Sequence, residues 1–237
     1  MINLTHVNIK FAEPVIADGD IAVPAGKITA ITGPSGSGKT TLLYCLGLIS
    51  SNKDYEYLFD GEQVNVSDDE MKGAVRKSRI GYIFQDKNLN DSLTVKENIR
   101  LMATLAGEPC DDETLSKLIG LVGMPEKLDD YPKVLSGGEQ QRLAVICALA
   151  KDPDLIIADE PTSSLDAANT ELVMSLFREI AYERGKMVVI ATHDPVIYEQ
   201  ADVIYRIEGK KINAVKGAEL LHCTVEDEAS KKENGAD

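Results

Sequence analysis

Apolar positions along this chain follow two rhythms: short β-branched runs that end in glycine-rich or acidic turns, and longer stretches spaced by three and four. Residues 2–11 read as a strand, followed by a turn-rich stretch through Pro14, Gly19, Pro24 and Gly26. Ile28 to Thr32 is a second strand that runs straight into a glycine-rich turn. A helix is expected from about Lys39, with Leu42, Leu43 and Leu46 on its buried side. Arg79 to Gln85, alternating Ile80, Tyr82 and Phe84, reads as another strand. From about 86 to 135 the pattern turns helical. Thr94 and Glu97 form a capping box ahead of Ile99, Met102 and Leu105, and Leu115, Leu118, Ile119 and Val122 make one continuous helical stripe. Pro125 and Pro132 punctuate the last part of the stretch, so this segment reads as a helical insertion into an α/β core.

The core then resumes with a helix over about 139–150. Leu155 to Ala158 and Met187 to Ala191 are unbroken apolar runs, the pattern of strands buried on both faces. Between them a long helix carries Leu172, Val173, Leu176, Phe177 and Ile180 on one side. Val203 to Ile207 is expected to pair with Lys211 to Asn213 in a terminal hairpin, and residues from about Cys223 read as an acidic, disordered tail.

Composition narrows the function classes. Hydrophobic residues at 43% supply a substantial core, while a net charge of −14 opposes direct contact with nucleic acid or anionic lipid. A local nest of N–H donors with one lysine can still bind a phosphate, because exposed charges are screened beyond roughly 8 Å. The four cysteines form no C-x-x-C pair and no zinc-type cluster, and Cys45 and Cys147 lie in apolar helical patterns. The first residues lack the pattern of a signal peptide, and no apolar run reaches membrane-spanning length. A cytoplasmic chain without direct membrane insertion is expected, with any membrane role arising through a partner.

Gly33-Pro34-Ser35-Gly36-Ser37-Gly38-Lys39-Thr40 matches G-x-x-x-x-G-K-[ST] between an expected strand and an expected helix. The glycines let backbone N–H groups turn tightly toward phosphates, and the helix start adds its unpaired N–H groups and positive dipole end. Lys39 supplies a charge for the β- and γ-phosphates of ATP, and the Thr40 hydroxyl is suited to Mg²⁺. A flexible Gly/Ser turn is the rival reading, but it does not account for the strand–turn–helix context.

Two further strands end in polar groups. Asp159 and Glu160 follow the run at 155–158, and His193 follows Val188 to Thr192. In open α/β sheets ligands bind beyond the carboxyl ends of strands. Asp159 is therefore suited to hold Mg²⁺ through water, Glu160 to orient or deprotonate an attacking water, and His193 to sense a γ-phosphate. Taken alone, Asp159 and Glu160 read as a solvated turn and His193 as a structural histidine. Leu135-Ser136-Gly137-Gly138-Glu139-Gln140-Gln141-Arg142 opens a second helix with Ser136 as N-cap and Glu139 as its capping-box partner, and two glycines clear its mouth for an anion.

That last stretch resembles the signature of the ABC ATPases, and the other elements are similar to that family in order. Walker A lies at 33–40, the Q-loop at Gln85, Walker B at Leu155 to Asp159 with Glu160 as catalytic glutamate, the D-loop at Ser163 to Asp166, and the switch histidine at His193. The resemblance covers the chain to about residue 215. It implies a P-loop NTPase core with a predominantly parallel sheet, an N-terminal antiparallel β portion and the helical subdomain inserted at about 86–135. The ABC ATPase domain would span 1–222 and the tail 223–237. The implied catalytic residues are Glu160, His193 and Gln85, with Thr40, Gln85 and Asp159 around Mg²⁺. The implied nucleotide contacts are Phe11, stacking on adenine, residues 33–40 with Thr41, and across a homodimer interface Ser136, Gly137, Gly138, Glu139 and Asp166. A buried strand position is the rival reading of Phe11.

Membrane permeases are the implied partners. Ile80 to Gln85 and Leu93 to Ile99 resemble the branch serving lipoprotein release, macrolide export and antimicrobial-peptide or bacteriocin export. Asn52 to Tyr57 depart from the usual glycine-bearing link after the first helix. A soluble ABC ATPase of iron–sulfur cluster assembly is the competing reading. A generic P-loop kinase leaves 135–142 unexplained.

Overall fold

The structure, a computed structural model, describes residues 1–217; the expected tail lies outside the described residues. Two sheets share the molecule. Strands β1 (Ile2–Lys10), β2 (Pro14–Val23), β4 (Glu56–Phe59) and β5 (Glu62–Gln63) form an antiparallel sheet in the order β2-β1-β4-β5. The second sheet runs β10-β9-β3-β8-β7-β6, built from β3 (Lys27–Thr32), β6 (Ile80–Ile83), β7 (Leu155–Asp159), β8 (Met187–Ala191), β9 (Val203–Glu208) and β10 (Lys211–Lys216). All its pairings are parallel except the β9–β10 hairpin.

The central strands are continuous apolar runs because each sheet face packs against its own core. Ile156, Ala158, Val188 and Ile190 meet the helices α3 (Val95–Ala106), α4 (Asp112–Leu121), α5 (Gly137–Leu149) and α6 (Ala167–Arg178). Leu155, Ile157, Val189 and Ala191 meet α1 (Lys39–Leu46) and the antiparallel sheet. The Tyr205 hydroxyl accepts from the Ala22 backbone N–H at 3.0 Å and joins the two sheets across a buried seam. Cys45 and Cys147 are buried, and burial pushes their thiols up to about 11 and about 12.

Several expectations are corrected. The turn-rich stretch after residue 11 is the strand β2, started by Pro14, where no ladder N–H is required. Bulges around Asp18 and Gly19 break the alternation that marks a strand. Arg79 closes the helix α2 (Asp69–Arg79) rather than opening β6, which stops at Ile83. Leu105 and Leu172 face solvent, at 58% and 48% exposure, although both sit on apolar stripes. Ile180 is buried, but in a π-helical turn, Glu179–Glu183, that continues α6.

Candidate functional site

The loop between β3 and α1 sets the site. Gly38 is the N-cap of α1 at φ +103°, with no side-chain cap and no acidic residue in the first turn. Helices α2 through α6 and the short α7 (Pro195–Tyr198) all carry a side-chain cap. Among the described α-helices, α1 alone presents its N–H groups bare, which is the arrangement an anion requires. Two of its glycines leave no room for a side chain. A Cβ at Gly33 (φ +150°) would meet the Ile207 carbonyl oxygen at 2.6 Å, and one at Gly38 would meet Val15 Cγ1 at 2.6 Å. Lys39 Nζ donates to the carbonyls of Gly33 at 2.9 Å and Pro34 at 3.2 Å, which fixes its charge at the loop's mouth.

A cavity of about 360 Å³ brings that loop together with the strand ends. Phe11, Lys39, Thr40, Thr41, Gln85, Asp159 and Glu160 line it along with Ser35, Gly36 and Gly38. An adjoining hollow of about 540 Å³ runs from Phe11 past Pro34, Ser35, Gly36 and Ser37 to the β9–β10 turn. Phe11 is 68% exposed and stands beyond the end of β1, so it is not a buried strand residue. The two hollows meet at Phe11: the one holds Lys39 and the strand ends, the other reaches the β9–β10 turn.

Asp159 and Glu160 leave β7 in different environments. Burial pushes the Asp159 carboxyl above its ordinary value; a bond from Thr40 opposes this, the Glu160 charge adds to it, and Lys39 opposes it again. The hydroxyl of Thr40, the carboxylate of Asp159 and the amide oxygen of Gln85 are hard oxygen donors. Mg²⁺ takes such a set when substrate phosphates complete its shell, so these residues fit the ion. Ser37 Oγ is buried with no hydrogen-bond partner among the described residues, which suits a loop built to close on an oxygen-rich ligand.

Glu160 adopts φ +46°, a conformation that a non-glycine residue holds only against strain. Its backbone N–H still extends the ladder to the Ala191 carbonyl at 2.9 Å. Its carboxylate is gripped by His193 Nδ1 at 2.9 Å and by the Thr192 hydroxyl at 3.4 Å. Thr192 belongs to none of the motifs; its one sequence signal is a hydroxyl closing the apolar run Met187 to Ala191, and the structure buries it fully.

Ser136, Gly137, Gly138, Glu139 and Asp166 do not line this cavity. Ser136 and Glu139 close the capping box of α5: the Ser136 N–H donates to Glu139 Oε2 at 2.7 Å and the Glu139 N–H to Ser136 Oγ at 3.3 Å. Asp166 caps α6 through the Asn169 N–H at 2.8 Å. The two glycines differ: a Cβ at Gly137 would meet open space, whereas one at Gly138 would overlap the Asn169 side-chain amide.

The family model that describes the ABC transporter matches residues 16–163. The chain belongs to the ABC transporter family. This ABC ATPase is 39% identical over 193 residues to an uncharacterized ABC transporter ATP-binding protein of Thermotoga maritima, covering 81% of this chain and 82% of that one. It is 34% identical to the lipoprotein-releasing system ATP-binding protein LolD of Bacteroides fragilis, over 90% of this chain and 100% of that protein. With the macrolide export ATP-binding/permease protein MacB of Syntrophobacter fumaroxidans the identity is 37% over 86% of this chain, which spans only 29% of that protein. Among solved structures, the dimeric bacterial ABC transporter cassette MJ0796 superposes with a TM-score of 0.80 at 31% identity, covering 92% of this chain and 99% of that one. A second structure of MJ0796 is a dimeric post-hydrolysis state bound to ADP and Pi, at a TM-score of 0.80 and 30% identity. Among the described residues, no helix is long and apolar enough to cross a membrane.

Proposed function

We propose that two copies of this chain close head to tail on two Mg-ATP molecules, and that closing and reopening drive a separate membrane permease. The cargo class we favour is an exported peptide, bacteriocin, lipoprotein or drug, in line with the LolD and MacB relatives. One observation carries the reading: the bare α1 start shares a cavity with Lys39, Asp159 and Glu160, while a second glycine-bearing helix mouth, Ser136 to Gly138, stands outside it. A γ-phosphate needs donors on the side that the lysine loop leaves open, and a partner chain's α5 can supply them.

In this reading Phe11 stacks on the base, while residues 33–40 and Thr41 cradle the phosphates. Thr40, Asp159 and Gln85 would hold Mg²⁺, which supplies charge neutralisation at the β- and γ-phosphates. Glu160 takes the proton of the attacking water. His193, tied to Glu160 through Nδ1, would use its other ring nitrogen to sense the γ-phosphate. Ser136, Gly137, Gly138, Glu139 and Asp166 act across the interface. The ATPase unit comprises residues 1–222, with the segment at about 86–135 as its helical insertion.

Docking of the permease is assigned to the hollow beside Gln85. About 190 Å³ in volume, it has Phe84, Leu89, Leu101 and Met102 as apolar lining and Lys87 and Lys151 as charges. This placement puts the ATPase peripherally on the cytoplasmic face of the membrane. Leu101 is 37% exposed there, so Leu101→Glu charges the apolar lining without entering the core. The parent chain should purify from membranes with a multi-span protein, and Leu101→Glu should release it into the soluble fraction. Recovery of the parent with soluble scaffold proteins alone would instead support iron–sulfur assembly.

A further inference from the structure

The mouth of α5 is built against the first turn of α6, and Asn169 makes the join. Asn169 Nδ2 donates to both carboxylate oxygens of Asp166, at 3.0 and 3.1 Å. Its Oδ1 accepts from Arg142 NH1 at 3.1 Å. Arg142 Nε is buried with no partner among the described residues, so the Asn169 contact is what orients the guanidinium. The Asn169 amide also fills the place a side chain at Gly138 would need. Gly138 is therefore glycine because α6 approaches α5 closely, a reason internal to one chain, while Gly137 keeps the open face.

The same side chain connects to the catalytic strand. Glu160 turns into the 161–166 loop, where Ser163 donates to the Glu160 carbonyl through its N–H at 3.3 Å and its hydroxyl at 3.1 Å. That loop ends at Asp166, which Asn169 grips. Glu160 is thus linked along the 161–166 loop to Asp166, Asp166 by hydrogen bonds through Asn169 to Arg142, and the Asn169 amide packs against Gly138.

We infer that Asn169 is a positioning residue of the ATP-dependent dimer. It locks the glycine-bearing mouth of α5, which serves the partner's nucleotide, to the loop that carries this chain's own Glu160 and Asp166. The two nucleotide sites are thereby coupled through each subunit, and the inference rests on the head-to-tail reading above.

The test uses the full chain in a Glu160→Gln background, where turnover does not consume the ATP. The ATP concentration at half-dimerisation is measured by sedimentation with Mg²⁺, and Mg-ADP affinity of the single chain by calorimetry. Asn169→Ala should raise the half-dimerisation concentration by about tenfold or more, the size expected for losing a hydrogen bond to a charged group. Mg-ADP affinity should stay within about twofold, because the lysine loop is untouched; a purely structural defect would lower both. Asn169→Ser, which keeps a donor for Asp166 and leaves Arg142 unpaired, should behave like Asn169→Ala. Unchanged dimerisation in both variants, or parallel losses of ADP affinity and dimerisation, would overturn the inference while the dimer reading stands. A Glu160→Gln parent that never dimerises would remove the dimer reading and the inference with it.

Discussion

Replacing Glu160 with glutamine isolates proton transfer from everything else the site does. Glutamine has the shape of glutamate, and its single amide oxygen can still accept from one of the two groups, His193 or Thr192, that bond the separate carboxylate oxygens of Glu160. The glutamate side chain is only 17% exposed, so losing its charge in that partly buried place does not destabilise the fold. The variant loses the ability to take a proton from water, a contribution of about 10²–10⁴ in rate, or roughly 3–5 kcal/mol of barrier. Phosphate release by the purified chain, followed with saturating Mg-ATP, should therefore fall by about two to four orders of magnitude. ATP affinity of the single chain should change by less than about threefold, since Lys39 and the bare α1 start are untouched. A Glu160→Gln chain that hydrolyses within about tenfold of the parent would refute the assignment of the base.

Two further perturbations probe the loop and the metal ligand. Gly38→Ala forces a side chain into φ +103° and against Val15 Cγ1 at 2.6 Å. That strain should cost about 1–3 kcal/mol, read as a Tm lower by roughly 2–4 °C per kcal/mol, together with loss of nucleotide binding; an unchanged Tm would contradict the strain. Asp159→Asn removes a carboxylate that burial holds above its ordinary pKa, so ionising it costs the folded state more than the unfolded one. Calorimetry of the nucleotide-free chain at neutral pH should show a higher Tm for Asp159→Asn, while its Mg-ATP turnover falls. A lower Tm would mean that Thr40 and Lys39 outweigh burial.

The central strands were legible because a strand buried on both faces has no polar register to interrupt it, as in Leu155 to Ala158. The polar residues at their ends were legible for the same reason: Asp159, Glu160 and His193 are where each apolar run stops. Strand β2 was not legible, since Asp18, Gly19 and Asp20 sit in a bulged, half-exposed ribbon. Helix α2 has only a short apolar stripe, Met71, Ala74 and Val75, and among its residues only Lys72 is buried; its other signals are the Asp68 cap and acidic and basic residues in its first and last turns. Leu105 and Leu172 show the limit of periodicity, which finds a helix face but not the edge where the neighbouring element ends. Asn169 was invisible because its role depends on two helix starts meeting in space.

Whether one chain's α5 mouth completes the other chain's nucleotide site can be measured directly. Ser136→Arg, made in the Glu160→Gln chain, places a long cation at the exposed mouth of α5 and leaves the lysine loop alone. With saturating Mg-ATP, sedimentation should show the Glu160→Gln chain as a dimer retaining two nucleotides. The chain that also carries Ser136→Arg should remain a monomer binding one nucleotide with unaltered affinity. Equal dimerisation of the two proteins would contradict the shared site.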